Sequence, residues 1–209
     1  MSIFSDLESE IIRFLSDHES FIVSEAFQRS TRGVGDAIED LIVKNLGDIA
    51  SNISDVTHTD FSRRAMEDVA LESDGNYYAI DIKTHRLSTK FNMPNLTSVK
   101  RLMDFYEERS NYFTVAMIEY NLSDSGELAD LYATVEPIEH FSWECLRIGA
   151  LGWGQIQFRN ASDIVVNTSQ TRKEWLKLFT SRLREHYAGE KEKIEERLEY
   201  IEGFIQRAL

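Results

Sequence analysis

Cysteine is almost absent from this sequence of 209 residues. Cys145 is the only one, so a disulfide within the chain is impossible, and no feature singles out a partner histidine for a catalytic thiol. The five histidines show no spacing typical of a zinc site. We therefore expect Cys145 to be a buried packing residue, and we expect neither thiol nor zinc chemistry.

Long hydrophobic runs are missing as well. The chain has no run of about 18 apolar residues that would cross a membrane, and its first residues lack the basic region and apolar core of a signal peptide. We therefore expect a cytoplasmic protein with no membrane partner. The glycine-rich stretch at 149–154 lacks the Gly-Lys-Ser/Thr ending of a phosphate-binding loop, so we also expect no nucleotide cofactor.

Basic residues are scarce, with 23 Lys and Arg against 36 Asp and Glu, a net charge of −13. This balance excludes general coating of nucleic acid, which depends on clustered Lys and Arg. The basic residues are nevertheless concentrated in one place. Between residues 82 and 103 there is no acidic side chain, and the basic ones are Lys83, Arg86, Lys90, Lys100 and Arg101. Such a basic strip on an acidic body fits a specific DNA cleft, and a merely solvated loop is the alternative.

The hydrophobic content of 42% is enough for one globular domain spanning residues 1–209. Apolar residues at helical spacing predict helices over about 3–17, 34–42 and 96–106. Runs rich in β-branched and aromatic residues predict strands over 112–120, 131–135 and 155–160. Together they predict an α/β fold with a mixed central sheet flanked by helices.

The last part of the chain, 170–209, is predicted to be helical, as two helices separated at Ala188-Gly189. In the second helix the apolar residues recur at spacings of four, three and four, which resembles the seam of a helix pair. They are Ile194, Leu198, Ile201 and Ile205. Packing on the body of the protein and dimerisation are both compatible with this pattern.

The strongest local pattern is an Asp-Gly pair between two apolar, partly alternating runs at 66–71 and 77–83, which predicts a β-hairpin. If Asp74 and Gly75 form the loop, Asp68 lies directly opposite Asp81. Alternation of side chains puts Lys83 on the same face as Asp81. Opposed carboxylates destabilise a sheet unless a cation neutralises them, and their oxygens suit Mg²⁺. The pattern favours a metal-binding hairpin, although a solvated hairpin with charged outer residues would look similar.

Asp68, followed by Asp81-Ile82-Lys83, resembles the motif of the PD-(D/E)XK nuclease superfamily. The run Asp-Ile-Lys-Thr and a basic residue is similar to type II restriction endonucleases of the EcoRV and HincII kind, while Glu67 stands where the family name has proline. The resemblance implies a restriction-endonuclease-like fold and a type II site-specific deoxyribonuclease that leaves 5′-phosphate ends. It also implies Mg²⁺, with Mn²⁺ able to substitute, held by Asp68, Asp81 and the carbonyl oxygen of Ile82. Lys83 would then lie beside the attacking water.

The resemblance further implies that an acidic residue on the helix before the hairpin completes the metal site. The resemblance places Glu39 at this catalytic position. Glu39 lies at the margin of the apolar stripe of the helix predicted around 34–42. Asp36 and Asp40 are the alternatives. A helix-edge carboxylate in water is an equally good interpretation of Glu39.

Polar and basic residues that follow the hairpin are expected to contact DNA, because they can donate hydrogen bonds to phosphate oxygens at or near the start of the next helix. These residues are Thr84, His85, Arg86, Lys90, Asn92, Asn95, Thr97, Ser98, Lys100 and Arg101. Amide and guanidinium side chains near the strand at 155–160 match the groups that read base edges. They are Gln155, Gln157, Arg159 and Asn160, although an ordinary edge strand explains them equally well.

Double-stranded DNA is thus the expected partner. A homodimer is expected because two symmetric subunits are the simplest way to cut both strands of a palindrome. One alternative is a DNA repair or junction-resolving nuclease with the same hairpin, which would recognise the shape of its DNA. Another is a non-catalytic DNA-binding module that has the fold without the chemistry.

Overall fold

A computed structural model describes residues 3–18, 31–58, 68–124 and 128–208 of the chain. Residues 66 and 67, which the sequence assigns to the first strand of the hairpin, lie outside these ranges. The helices are α1 (Ile3–Asp17), α2 (Thr31–Ala50), α3 (Val99–Phe105) and α4 (Arg172–Ala208). The strands are β1 (Val56–His58), β2 (Val69–Ser73), β3 (Asn76–Arg86), β4 (Asn95–Ser98), β5 (Asn111–Leu122), β6 (Leu128–Pro137), β7 (Leu146–Gly149) and β8 (Gln155–Phe158). Two short 3₁₀ helices are Ile138–His140 and Ala161–Asp163.

The strands form two sheets. The larger sheet has the order β1-β2-β3-β5-β6, in which β3 and β5 are parallel and the other neighbours are antiparallel. The smaller sheet has the order β4-β8-β7 and is antiparallel. A mixed central sheet with helices is therefore present, and the prediction of an α/β fold is confirmed at this level.

One face of the larger sheet is covered by α1 and α2. In α1 the residues at helical spacing, Leu7, Ile11 and Leu15, are buried, as the sequence predicts. They share a core with the apolar stripe of α2 and with Ile80 and Ile82 of β3. Since successive side chains of a strand point to opposite faces, this leaves Asp81 and Lys83 on the other side of β3.

The opposite face of the sheet packs against the smaller sheet, α3 and the start of α4. Trp143 is 6% exposed and stacks on Trp175 and Phe179 of α4, with ring centroids 5.1 and 5.9 Å away. Cys145 is buried nearby. Trp143 thus anchors this core, and the prediction that Cys145 is a packing residue is confirmed.

Arg172 fixes the first turn of α4 to the body of the protein. Its Nε donates to the buried Glu139 carboxylate at 2.7 Å, and its Nη1 donates to the Arg109 carbonyl at 2.8 Å. The guanidinium also lies 4.1 Å from the centre of the Tyr112 ring. Charge-assisted hydrogen bonds and stacking of this kind hold the base of α4 in one orientation.

Two predicted helices have different limits in the structure. Residues 95–98 form strand β4, paired with β8, and the helix begins only at Val99; Met103, predicted to be buried, is 48% exposed. Pairing with a distant strand overrides the local helical pattern here. The C-terminal segment is one continuous helix of 37 residues through Ala188-Gly189, because a glycine in an exposed helix is tolerated at modest cost. Among the described residues, no helix combines the length and apolarity needed to cross a membrane.

Gly35 marks the closest approach of α2 to β3. We expect Gly35→Ala to lower the free energy of unfolding by about 1 kcal/mol, because the overlap of an added Cβ with the Thr84 hydroxyl outweighs the gain in helix propensity. Gly189 in α4 is the matched control, since an added Cβ there meets nothing within 4 Å, and Gly189→Ala should stabilise the helix by up to about 1 kcal/mol. Chemical denaturation measures both effects. Unchanged stability of Gly35→Ala would mean that α2 moves away from β3 freely.

Candidate active site

The predicted hairpin is formed by β2 and β3, and its predicted register is confirmed. Val69 lies opposite Ile80, and the pairing continues to the turn, where Ser73 faces Asn76. Asp74 and Gly75 have φ angles of 50° and 74°, the left-handed conformation that a two-residue hairpin loop requires. The Asp-Gly pair therefore determines which residues of the two strands meet.

Asp68 continues the hairpin by one residue beyond β2. Its backbone N–H donates to the Ile80 carbonyl at 3.1 Å, and its carboxylate Oδ2 accepts a hydrogen bond from the Ile82 backbone N–H at 2.7 Å. These two bonds hold the Asp68 carboxylate against the segment of β3 that carries Asp81. Asp68 and Asp81 therefore lie close together, as the predicted register requires.

Asp81 and Lys83 form the centre of the site. The Lys83 ammonium donates to Asp81 Oδ1 at 2.7 Å and to the Ile82 carbonyl oxygen at 3.2 Å. Asp81 is only 5% exposed, and its second oxygen, Oδ2, is buried with no hydrogen-bond partner among the described residues. A buried carboxylate oxygen without a donor is costly, so this atom is a strong candidate for a bound cation or water.

The electrostatics of the site reflect an excess of negative charge. Burial raises the pKa of Asp81 to about 8, and repulsion from Asp68 and Glu39 adds to this effect, although Lys83 opposes it. Burial alone would lower the pKa of Lys83, but attraction to Asp81, Asp68 and Glu39 outweighs it and raises the pKa above its ordinary value. Lys83 is therefore protonated at neutral pH and acts as a hydrogen-bond donor.

Glu39 of α2 belongs to the same electrostatic cluster. Burial and repulsion from Asp68 raise its pKa to about 7, while Lys83 lowers it. Of the two alternatives weighed from the sequence, Asp40 is 72% exposed and lies 3.4 Å from Lys44, and Asp36 lines the cleft from an exposed position. The structure thus places Glu39, rather than Asp40, beside the aspartates of the hairpin.

The atoms of the site that could bind a metal ion are all oxygens. The Lys83 ammonium is the other polar group of the cluster. In the described part of the chain no group of three or more His, Cys, Asp or Glu side chains is arranged to hold a metal ion by itself. This finding excludes a closed protein cage there, but Mg²⁺ usually takes only one or two carboxylates and completes its shell with water and substrate phosphates. Asp81 Oδ2, the Asp68 carboxylate and the Ile82 carbonyl oxygen fit that requirement.

A cleft of about 560 Å³ opens beside Lys83 and Glu39. Four of the predicted DNA-contact residues line it, namely Thr84, Arg86, Asn92 and Asn95. The sequence analysis missed Thr89, Phe91 and Tyr120, which also line the cleft. Phe91 is 64% exposed, and its position inside the basic strip between a lysine and an asparagine was the available signal.

Two predicted DNA contacts are contradicted by burial. His85 is 1% exposed and its Nε2 lies 3.1 Å from the Ser162 hydroxyl, so it packs inside the protein. Thr97, on strand β4, is 3% exposed. Both were assigned to the surface because the sequence does not show that Ser162 packs against His85 or that residues 95–98 pair with β8.

The remaining residues of the basic strip lie near α3. Ser98 caps this helix by accepting a hydrogen bond from the Arg101 backbone N–H at 3.2 Å. Lys100 pairs with Asp104 at 2.7 Å, one turn further along the helix. Lys90 and Arg101 are exposed. None of these four lines the cleft described above, so the strip is divided between the cleft and the surface around α3.

Most residues predicted to read bases hold the structure together instead. Gln157 is 9% exposed and donates through Nε2 to Asn95 Oδ1, while Arg159 donates to the Leu146 carbonyl at 3.0 Å. Asn160 accepts from the Asn92 backbone N–H at 3.2 Å. Strand β8 thereby fixes the segment 92–95 at the lip of the cleft. Gln155 is half-buried on the same strand.

Comparison with known proteins assigns the chain to no family: no protein-family model matches it, and a search of the curated proteins finds no match. The chemistry must therefore be inferred from the cleft itself. The cleft and the cluster beside it have one half-buried ammonium, three interacting carboxylates and a rim of hydroxyl, amide and guanidinium groups.

Proposed function

We propose that the protein is a Mg²⁺-dependent endonuclease that hydrolyses phosphodiester bonds of double-stranded DNA at a specific sequence, as type II restriction endonucleases do. The observation that carries this proposal is the cluster of Asp68, Asp81 and Lys83, in which Lys83 lines a polar cleft and the buried Asp81 Oδ2 has no hydrogen-bond partner among the described residues. A restriction-endonuclease-like fold and a cytoplasmic location belong to the same proposal.

Bound Mg²⁺ would supply charge neutralisation of the scissile phosphate and activation of a water molecule. Asp81 and Asp68 are the side chains that would hold it, together with the Ile82 carbonyl oxygen. Their mutual repulsion, which contributes to the high pKa of Asp81, is the property that a divalent cation relieves. Glu39, with its pKa raised to about 7, would hold a water of the metal shell or lend a further charge.

Lys83 would position the attacking water and stabilise charge that develops on the phosphate. Its ammonium already lies 2.7 Å from Asp81 and 3.2 Å from the Ile82 carbonyl oxygen, so it is fixed beside the proposed metal site. Since its pKa is raised, it donates a hydrogen bond at neutral pH and is not a free base. This arrangement corresponds to electrostatic preorganisation around a reacting phosphate.

The cleft rim would bind the DNA backbone on either side of the scissile bond. Arg86 contributes positive charge, and Thr84, Asn92 and Asn95 contribute hydroxyl and amide groups. The lining is polar, which suits phosphate and base edges better than an apolar metabolite. Because few cations are involved on an acidic body, we expect binding to be site-specific and to weaken as salt is raised.

The test is incubation of the purified protein with unmethylated plasmid and bacteriophage DNA in Mg²⁺, Mn²⁺ or EDTA. We expect discrete fragments with either metal and intact DNA in EDTA. Sequencing of the fragment ends then gives the recognition site, and end labelling shows whether the 5′ end carries the phosphate.

Two results would contradict the proposal. Duplex binding that persists in Mg²⁺ without cleavage, at low and at moderate salt, would identify a non-catalytic DNA-binding module. Cleavage of branched or mismatched DNA in preference to plain duplex would identify a junction-resolving or repair nuclease and refute sequence-specific restriction.

A further inference from the structure

The distal half of α4 extends away from the body of the protein. The helix has 37 residues and is therefore about 55 Å long, but only Trp175 and Phe179 near its start are buried. From residue 191 to residue 208 every residue is exposed except Gly203, which is half-buried. No described residue covers this segment, so packing on the body, one of the two alternatives from the sequence, is wrong for the described part of the chain.

This free segment presents an apolar seam. Ile194, Leu198, Ile201 and Ile205 are between 48% and 55% exposed, and they follow one another at spacings of four, three and four residues, as the apolar positions of a heptad repeat do. The order of the spacings is the same in both directions along the helix. A second copy of the seam therefore matches it residue for residue, whether the two helices run parallel or antiparallel.

The charges beside the seam disfavour binding of a membrane or of nucleic acid to this segment. Residues 190–207 contain six acidic and four basic side chains, a net charge of −2. A helix that lies on a membrane has a polar face rich in Lys and Arg, and a helix that binds nucleic acid needs the same excess. Mixed charges instead suit another helix of the same composition. In a parallel pair, for example, Arg197 of one copy faces Glu202 of the other.

The apolar surface continues onto the loop between β7 and β8. Leu151 and Trp153 at the tip of this loop are 69% and 61% exposed. The Tyr187 hydroxyl donates to the Trp153 carbonyl at 2.7 Å and holds the loop against α4, one turn before the free segment begins. The loop tip is thus tied to α4 one turn before the free segment begins.

We propose that this surface, residues 187–208 of α4 with Leu151 and Trp153, is the interface at which two copies of the chain associate into a homodimer. The pairing depends on the seam and not on the chemistry of the cleft. It forms without DNA and without Mg²⁺.

Sedimentation of the full chain at micromolar concentration, in EDTA and without DNA, tests the proposal. We expect a mass of about twice the 24.2 kDa of one chain. The double substitution Leu198→Glu and Ile201→Glu should weaken association at least about 100-fold, because it places charges in a buried seam. Tyr200→Glu is the control: it adds one glutamate charge at a 70% exposed residue on the same helix outside the seam, and the dimer should persist.

The interface is refuted if the parent chain sediments as a 24.2 kDa monomer at tens of micromolar, or if the double variant stays dimeric. Circular dichroism and thermal melting of the double variant show whether the body remains folded, so that loss of the dimer is not mistaken for unfolding. If the parent chain is a monomer that binds anionic vesicles and the double variant does not bind them, the seam is a membrane-binding surface. That result would also refute the homodimer interface.

Discussion

Replacing Lys83 with alanine is expected to lower the rate of Mg²⁺-dependent DNA cleavage by about 10³-fold while changing DNA affinity less than about threefold. Lys83 is the only cation within hydrogen-bond distance of Asp81 among the described residues, and its ammonium is half-buried and lies 2.7 Å from Asp81 Oδ1. Its removal takes away positive charge at the place where the phosphate would gain negative charge. The backbone contacts of the DNA along the cleft rim are left in place.

Single-turnover cleavage and a filter-binding or fluorescence titration on the same DNA separate the two quantities. Lys173→Ala is the control, because Lys173 is an exposed lysine on α4 that does not line the cleft. It should leave both the rate and the affinity unchanged. Should Lys83→Ala keep more than a tenth of the parent rate, Lys83 does not act on the reacting phosphate and the proposed role is wrong.

Asp81→Asn is expected to abolish cleavage and, in EDTA at pH 8, to raise the free energy of unfolding by roughly 2 kcal/mol, or about 5 °C in melting temperature. Burial and the neighbouring carboxylates raise the pKa of Asp81 from 3.8 to about 8 in the folded protein. Between these two values the folded chain retains a proton that the unfolded chain has released. Stability therefore falls as the pH rises through this window, and an amide at position 81 removes that loss.

Thermal denaturation of parent and variant between pH 4 and pH 8 measures the effect. The advantage of Asp81→Asn should be greatest near pH 8, should shrink toward pH 4, and should disappear when saturating Mg²⁺ stabilises the parent. Glu72→Gln is the control, since Glu72 is an exposed carboxylate on the same hairpin. A variant less stable than the parent at pH 8 would show that the ion pair with Lys83 outweighs the cost of burying Asp81.

The hairpin could be predicted from the sequence because its determinants are local. Asp74 and Gly75 specify the turn, the turn specifies the register, and the register brings Asp68 close to Asp81. The same reasoning places Lys83 on the face of Asp81 by simple alternation. These inferences need only residues that are close along the chain.

The errors concern contacts between distant segments. Residues 95–98 have a pattern compatible with a helix start, but their pairing with β8 makes them a strand and buries Thr97. His85 follows Lys83 by two residues and would share its environment on an isolated hairpin, yet it is buried and contacts Ser162 of the second 3₁₀ helix. Glu39 could not be separated from Asp40 by spacing alone, because the crossing of α2 over β3 decides which of them approaches the aspartates.

The unpartnered oxygen of Asp81 also has a consequence for directed evolution of this protein. Any substitution that replaces this carboxylate by a neutral group of similar size relieves the repulsion within the cluster, so heat resistance and catalysis make opposite demands on position 81. If Asp81 holds Mg²⁺ as proposed, we expect a library screened for thermal tolerance without divalent metal to be enriched in inactive variants. Selection in the presence of Mg²⁺ should reverse that bias, since a bound ion would stabilise the protein that keeps the acidic side chain.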